Sequence, residues 1–307
     1  MDITASMVKE LREMTGAGMS ACKSALVEAD GDMTRANELL REKGLTAAAK
    51  KSGRIASEGM VLAVNTPDNH VGAVVEVNIE TDFAAKNEQF RDFVKMVAEQ
   101  ALVSCASGID GLLAEPWKAD KGITVKDAML QKIAIIGENI NIRRFERYEV
   151  CCGGVIVNYI HGGGKVAVMM ELSSDTVNDA LMEAGRNVCM QVAAMSPKFV
   201  SRADVSDEFI AKEREILTQQ AINEGKAKNI AEKIVEGRLA KELKEFCLLD
   251  QEYVKDSDLT VDKYLKGVGA EVGSAVAVKR FVRYETGEGI EKKEENFAEE
   301  VSKAMQV

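Results

Sequence analysis

Glu80, Thr81, Asp82 and Phe83 stand directly behind the alternating run VEVN (75–78), and two carboxylates beside an aromatic ring are the residue types of a general acid/base pair. Their spacing speaks against that use. Carboxylates divide acid and base roles only where their surroundings push their pKa values apart, and two acids on one solvated strand-to-helix corner share a single environment. The expected local role is a cap, by Thr81 or Asp82, on a helix beginning near Ala84. Phe83 then either folds back as a staple or projects, two outcomes that look alike in sequence. His161 precedes Gly162-Gly163-Gly164-Lys165, a glycine run that opens no helix and lacks the G-K-[ST] ending of a phosphate loop, so it reads as a hairpin turn carrying an exposed imidazole. With His70 the only other histidine, a metal centre or a Ser-His-Asp arrangement has little material. The six cysteines at 22, 105, 151, 152, 189 and 247 form no C-x-x-C pair, and the vicinal Cys151-Cys152 are poorly placed to bridge; reduced, structural thiols are expected. No nucleophile–base pair emerges, and no catalytic, cofactor-binding or metal-binding residue is assigned. The residues read as the projecting tips of a binding protein.

The chain that positions these tips has 307 residues, with 40 Lys+Arg against 50 Asp+Glu and an apolar fraction of 46%. That is globular composition, enough for about two domains. A net charge of −10 disfavours a nucleic-acid binder working through a basic face. No apolar run reaches the ~18 residues of a membrane span, and MDITASMVKELREM has neither an apolar signal core nor an Arg-rich amphipathic leader, so a cytoplasmic location is expected, without membrane or direct nucleic-acid contact.

The first fifty residues predict three short helices: 4–14 behind Thr4, 21–29 behind Ser20, and 33–43 behind Asp32, with Gly44 as the stop. Residues 45–54 read as a short helix and linker. Met19 lies in a glycine-bounded loop, where it either folds onto the third helix or waits for a partner. Beyond residue 55 an internal repeat organises the chain. MVLAVN, TPDN and VGAVVEVN predict a β-hairpin followed by a helix carrying Phe90, Phe93, Val94 and Val97. VIVNYI, HGGG and VAVMMELS, followed by a helix carrying Val188, Val192 and Ala193, repeat that order 95 positions later, with one offset expected to cover hairpin and helix alike. The strands INIRRFERYE and VAVKRFVRYE repeat at 136, and the difference of 41 is filled by two amphipathic helices, 206–224 and 228–246, joined at Gly225. Segment 104–124, with the sole tryptophan, Trp117, reads as decoration. A last helix would carry Phe297, Val301 and Met305 in a thin apolar stripe suited to docking.

The expected fold class is therefore α+β: an N-terminal three-helix module, a core of two related ββαβ subdomains with antiparallel sheets, an inserted antiparallel helical hairpin and a C-terminal helix. The corresponding domains are 1–54, the core subdomains 55–150 and 151–204 with 251–286, the hairpin 205–250 and the helical end 287–307. Three classes of function fit such a chain. One is a binding protein that works through its projecting tips; the second is an adaptor that binds through the small helical module while the core dimerises; the third is a hydrolase using Asp82 or His161, for which no substrate feature is present.

Two segments, LREMTGAGMSACKSALVEADGDMTRANELLREKG (11–44) and VEVNIETDFAAKNEQF (75–90), closely resemble the signature stretches of the elongation factor Ts family, guanine nucleotide exchange factors of the translational GTPase elongation factor Tu. The similarity extends to IIGENINIRR (135–144), YIHG (159–162), NIAEKIVEGR (229–238) and GEGIEK (287–292), nearly the whole chain. The resemblance implies a ubiquitin-associated-like N-terminal module and no covalent chemistry. It also implies a GDP-bound elongation factor Tu partner, and self-association through the helical hairpin. It places Thr81, Asp82 and Phe83 at the tip that enters the GTPase beside its Mg²⁺ site, His161 near the phosphate-binding loop, and Leu11, Arg12 and Met19 in the grip of the N-terminal module. Ser20, Ile79 and Ala84 depart from the family's usual Met, Cys and Val, and segment 104–124 is longer than the family's. The implied mechanism is physically sound, because Mg²⁺ demands near-ideal octahedral geometry and a displaced support loosens the metal and the diphosphate together.

Overall fold

The computed structural model describes residues 3–151, 153–225 and 228–291. The expected helix over Phe297, Val301 and Met305, and Cys152 of the vicinal pair, lie outside the described residues.

Helix α1 (Ala5–Thr15) starts behind Thr4, whose hydroxyl accepts from the Met7 N–H, and ends at Gly16 with φ 69°. Helix α2 (Met19–Glu28) begins two residues earlier than expected. Gly18 holds the N-cap position with no side-chain bond, so Ser20 is a helical residue rather than a cap. Helix α3 (Met33–Ala49) is capped by Asp32, whose Oδ1 accepts from the Thr34 and Arg35 N–H groups at 2.8 and 3.0 Å. Val8, Leu11, Cys22, Ala25, Leu26, Ala36 and Leu39 close a small core between the three.

The first repeat runs β1 (Glu58–Asn65), β2 (Val71–Ile79), α4 (Asp82–Ala85), α5 (Glu88–Val103), α6 (Ile109–Ala114), β3 (Pro116–Trp117), β4 (Asp120–Thr124), α7 (Val125–Ile136) and β5 (Ile140–Glu149), with sheet order β1-β2-β5. Gly44 does not stop α3. It lies inside the helix, where a β-carbon would fall 2.8 Å from the Ala134 β-carbon, so its lack of a side chain serves the close approach of α3 to α7.

The second repeat follows as β6 (Val155–His161), β7 (Val166–Ser173), α8 (Asp179–Met195), α9 (Asp207–Asn223), α10 (Lys228–Phe246), β8 (Glu252–Tyr253), β9 (Asp256–Thr260), α11 (Val261–Val272) and β10 (Ala277–Glu285), with sheet order β10-β7-β6. Its core gathers Val157, Val168, Met170, Leu172, Val188 and Leu265. The α9–α10 hairpin closes over Leu217, Ala221, Val235 and Leu239, and Lys198 sits over the Phe246 ring at 3.9 Å at its base.

Two details of the expected repeat are corrected. Segment 104–124 is not mere decoration: β3, β4 and α7 recur as β8, β9 and α11 at the offset of 136, and Trp117 pairs with Asp120 as Tyr253 pairs with Asp256. Each ββαβ unit therefore contains a further small hairpin and helix. The offset of 95 holds for the hairpins only. In the helices the buried Phe90, Val97, Gln100 and Ala101 answer to Leu181, Val188, Gln191 and Val192, all 91 apart. Gln100 and Gln191 even share a task, each accepting a backbone N–H at 2.8 Å, from Lys118 and Val254.

The described chain forms two compact units, 3–62 with 75–145 and 284–291, and 63–74 with 146–283. In the first, the fully buried Glu76 receives Arg143 Nη1 at 3.1 Å, Arg144 Nε at 2.6 Å, the Gly287 N–H at 2.8 Å and Asn78 Nδ2 at 3.1 Å, while Arg144 lies 4.1 Å over the Tyr284 ring. The second holds the counterpart: Arg280 Nε meets Glu171 at 2.7 Å and its guanidinium lies 4.0 Å over the Tyr148 ring. No helix of the described residues is long and apolar enough to cross a membrane.

Candidate partner-binding site

The change of offset from 95 to 91 means that the corner between β2 and α5 is four residues longer than its counterpart between β7 and α8. Those residues make the extra turn α4. It is an insertion in a duplicated frame, and it carries Asp82 and Phe83. Phe83 is 83% exposed, so it projects and is no staple. A large ring left in water on a short, well-anchored turn is not placed there by core packing.

The anchoring comes from both sides. Thr81, not Asp82, is the cap: its hydroxyl accepts from the Ala84 N–H at 3.2 Å, and α5 has its own cap in Asn87, whose Oδ1 accepts from Gln89 at 2.8 Å. Asp82, the first residue of α4, instead accepts from Lys86 Nζ at 2.7 Å. That bond from the Lys86 ammonium holds the Asp82 carboxyl below the usual carboxylate range, opposite to the raised value a general acid needs. The same Lys86 nitrogen lies 5.8 Å from the Phe83 ring centroid. At neutral pH the tip thus presents a carboxylate, an ammonium and a bare ring.

The connection after α7 grips the corner from beneath. Glu138 accepts from the Thr81 N–H at 3.0 Å and from its hydroxyl at 2.8 Å. Glu80 accepts from the Asn139 N–H at 2.6 Å, and Asn139 Nδ2 donates to the Arg54 carbonyl at 2.8 Å. Lys51 Nζ reaches the Gly137 carbonyl at 2.6 Å. Glu138 and Asn139 stand in the motif IIGENINIRR, but nothing in their local spacing announces partners 57 and 59 residues away.

The other expected residues fall elsewhere. Leu11 has no exposed surface and packs in the bundle core; it holds the module together and offers nothing to a partner, a correction to the contact role the resemblance implies. Arg12 is exposed on the last turn of α1, and Met19 is 44% exposed at the start of α2. Met14, which the sequence reading passed over, is 63% exposed. His161 ends β6 in the second unit, exposed, with Tyr159 Oη 3.0 Å from its Nδ1 and three positive-φ glycines behind it. Of the expected set, the structure brings together Thr81, Asp82 and Phe83 on one turn. Cys189 and Cys247 are buried, and burial raises both thiols, which disfavours the reactive thiolate.

The model of the family described as Elongation factor TS matches residues 80–288. The chain is 53% identical to Elongation factor Ts of Clostridioides difficile strain 630 over 304 residues, covering 99% of both chains. It is 52% identical over 303 residues to that of Clostridium novyi strain NT, again covering 99% of both. With the protein of that name from Clostridium tetani strain Massachusetts / E88 it shares 51% identity over 304 residues, 99% of this chain and 100% of the relative. A match of that extent, together with the α+β architecture of helical module, paired sheets and inserted hairpin, makes this chain a translation elongation factor that belongs to the elongation factor Ts family.

Proposed function

We propose that the chain is the guanine nucleotide exchange factor of elongation factor Tu: it binds the GDP-bound GTPase, disturbs its Mg²⁺ and phosphate site with the Thr81–Phe83 tip, and promotes GDP release without covalent chemistry. The observation that carries the reading is Phe83, 83% exposed on a four-residue turn that the duplicated frame does not require. Burying the exposed part of such a ring in a partner pocket contributes roughly 1.2–2.5 kcal/mol, and each tenfold loss of nucleotide affinity needs about 1.4 kcal/mol of coupling. Coupling is reciprocal, so GDP or GTP weakens the factor's hold in turn and the factor recycles. Arg12, Met14 and Met19 supply surface for the N-terminal module's grip, and His161 is the contribution of the second unit. Ile216 and Ile222, exposed on the α9–α10 hairpin, are the surface for self-association.

The test is release of a fluorescent GDP from purified elongation factor Tu in Mg²⁺ buffer with excess unlabelled GDP. Acceleration at substoichiometric amounts of the chain is expected. Unchanged release overturns the reading and brings the adaptor function forward.

A further inference from the structure

Glu138 follows Gly137, the left-handed residue that ends α7 with φ 89°, and its carboxylate spans two donors of one residue, the N–H and the hydroxyl of Thr81, at 3.0 and 2.8 Å. A threonine hydroxyl has a single proton. Donating it to Glu138 fixes the rotor and turns the oxygen lone pairs toward the Ala84 N–H, which is the capping bond of α4 at 3.2 Å. The carboxylate accepts only, so it enforces this direction of donation, and charge-assisted bonds of this kind are about twice as strong as neutral ones. Glu80 returns the contact by accepting from the Asn139 N–H, so residues 80–81 and 138–139 cross-brace each other. The second repeat serves as an internal control. Its corner lacks the four-residue turn, and the position 136 beyond Glu138 is Ser274, whose single hydroxyl oxygen accepts from the Asp175 N–H at 3.0 Å and from the Ser174 hydroxyl at 3.2 Å, a neutral acceptor in place of a carboxylate.

We propose that Glu138 is a positioning residue for nucleotide exchange, holding the Thr81 hydroxyl as the cap of α4 and thereby setting the direction in which Phe83 projects. The proposal rests on the exchange reading above. It is tested with the full chain on elongation factor Tu loaded with fluorescent GDP, comparing the parent, Phe83→Ala, Glu138→Ala, Glu138→Gln, Thr81→Val and the Glu138→Ala/Thr81→Val double variant. The maximal acceleration of release is expected to fall about tenfold in Glu138→Ala and Thr81→Val while the half-saturating concentration changes less than threefold. The double variant should lose no more than the worse single, as members of one unit do. Glu138→Gln, which keeps one acceptor, should recover part of the loss. Independently of the partner, hydrogen exchange at the Ala84 N–H should be at least tenfold faster in Glu138→Ala than in the parent. If the parent accelerates release and Phe83→Ala does not, yet Glu138→Ala and Thr81→Val stay within twofold of the parent, the positioning role is overturned and the exchange reading stands. If the parent itself does not accelerate release, the exchange reading fails and takes this role with it. Unchanged exchange at Ala84 overturns the brace on its own.

Discussion

Replacing Phe83 by alanine removes a ring that touches almost nothing in the free protein. With 83% of its surface exposed and Lys86 no nearer than 5.8 Å to its centroid, the ring contributes little to folding, and the variant should unfold within ~0.5 kcal/mol of the parent. Full burial of a Phe side chain contributes about 1.5–3 kcal/mol, so five-sixths of that, ~1.2–2.5 kcal/mol, is available on docking. At ~1.4 kcal/mol per decade this corresponds to roughly an 8- to 70-fold loss in the second-order rate of catalysed GDP release. Stopped-flow release at several concentrations of the chain gives that rate, and urea unfolding followed through the fluorescence of the buried Trp117 gives the stability. Two results refute the reasoning. A rate within twofold of the parent would mean that the ring does not enter the partner, and a stability loss above ~1 kcal/mol would mean that it packs against the protein after all.

Gly44→Ala should destabilise by about 1 kcal/mol in urea: the helix gains ~0.8–1.0 kcal/mol of propensity, but a new methyl 2.8 Å from the Ala134 β-carbon costs ~1–3 kcal/mol. A gain in stability would show that α3 and α7 are not in tight contact. Glu76→Gln should cost ~3 kcal/mol by the same measurement, because it leaves Arg143 and Arg144 facing a neutral amide in a buried pocket; a loss below ~1 kcal/mol would count against the network. Burial pushes the Tyr148 phenol from its usual value near 10 up to about 12, which favours the protonated form in the folded state. Its contribution is therefore intact below pH 10 and falls as pH rises toward 12, by up to ~2–3 kcal/mol. The stability of the parent relative to Tyr148→Phe should fall by ~2 kcal/mol between pH 9 and 11.5, and a constant difference would refute the shift.

The helices of the N-terminal module and of the hairpin were legible because caps and apolar periodicity are local signals: Thr4, Asp32 and Ser206 all accept backbone N–H groups where such residues are expected to. Gly44 misled because a glycine that ends a helix and one that lets two helices meet are the same letter; only the facing Ala134 distinguishes them. The small hairpins were missed for a different reason. Strands of two and five residues, such as PW with DKGIT and EY with DSDLT, are too short and polar to show alternation, and only their shared offset of 136 marks them. At the site, Phe83 was readable as a residue but not as a projection, and Leu11 was placed at a surface it does not reach. Glu138 could not be found from spacing, since its bonds to Thr81 join parts of the chain 57 residues apart.

The buried Glu76 has a consequence for synthesis. Its Gly287 donor lies 211 residues downstream, so at ~5–20 residues per second a nascent chain spends on the order of 10–40 s with this carboxylate lacking its last partner. From the completion of β5 at Glu149 until Gly287 is made, the unit that displays Phe83 has its sheet and helices but not its closing strap. An emerging chain therefore acquires the tip early and its rigid seat late, and vectorial production, rather than refolding of the whole chain from denaturant, is the setting in which the first unit is most exposed to proteolysis or misassembly.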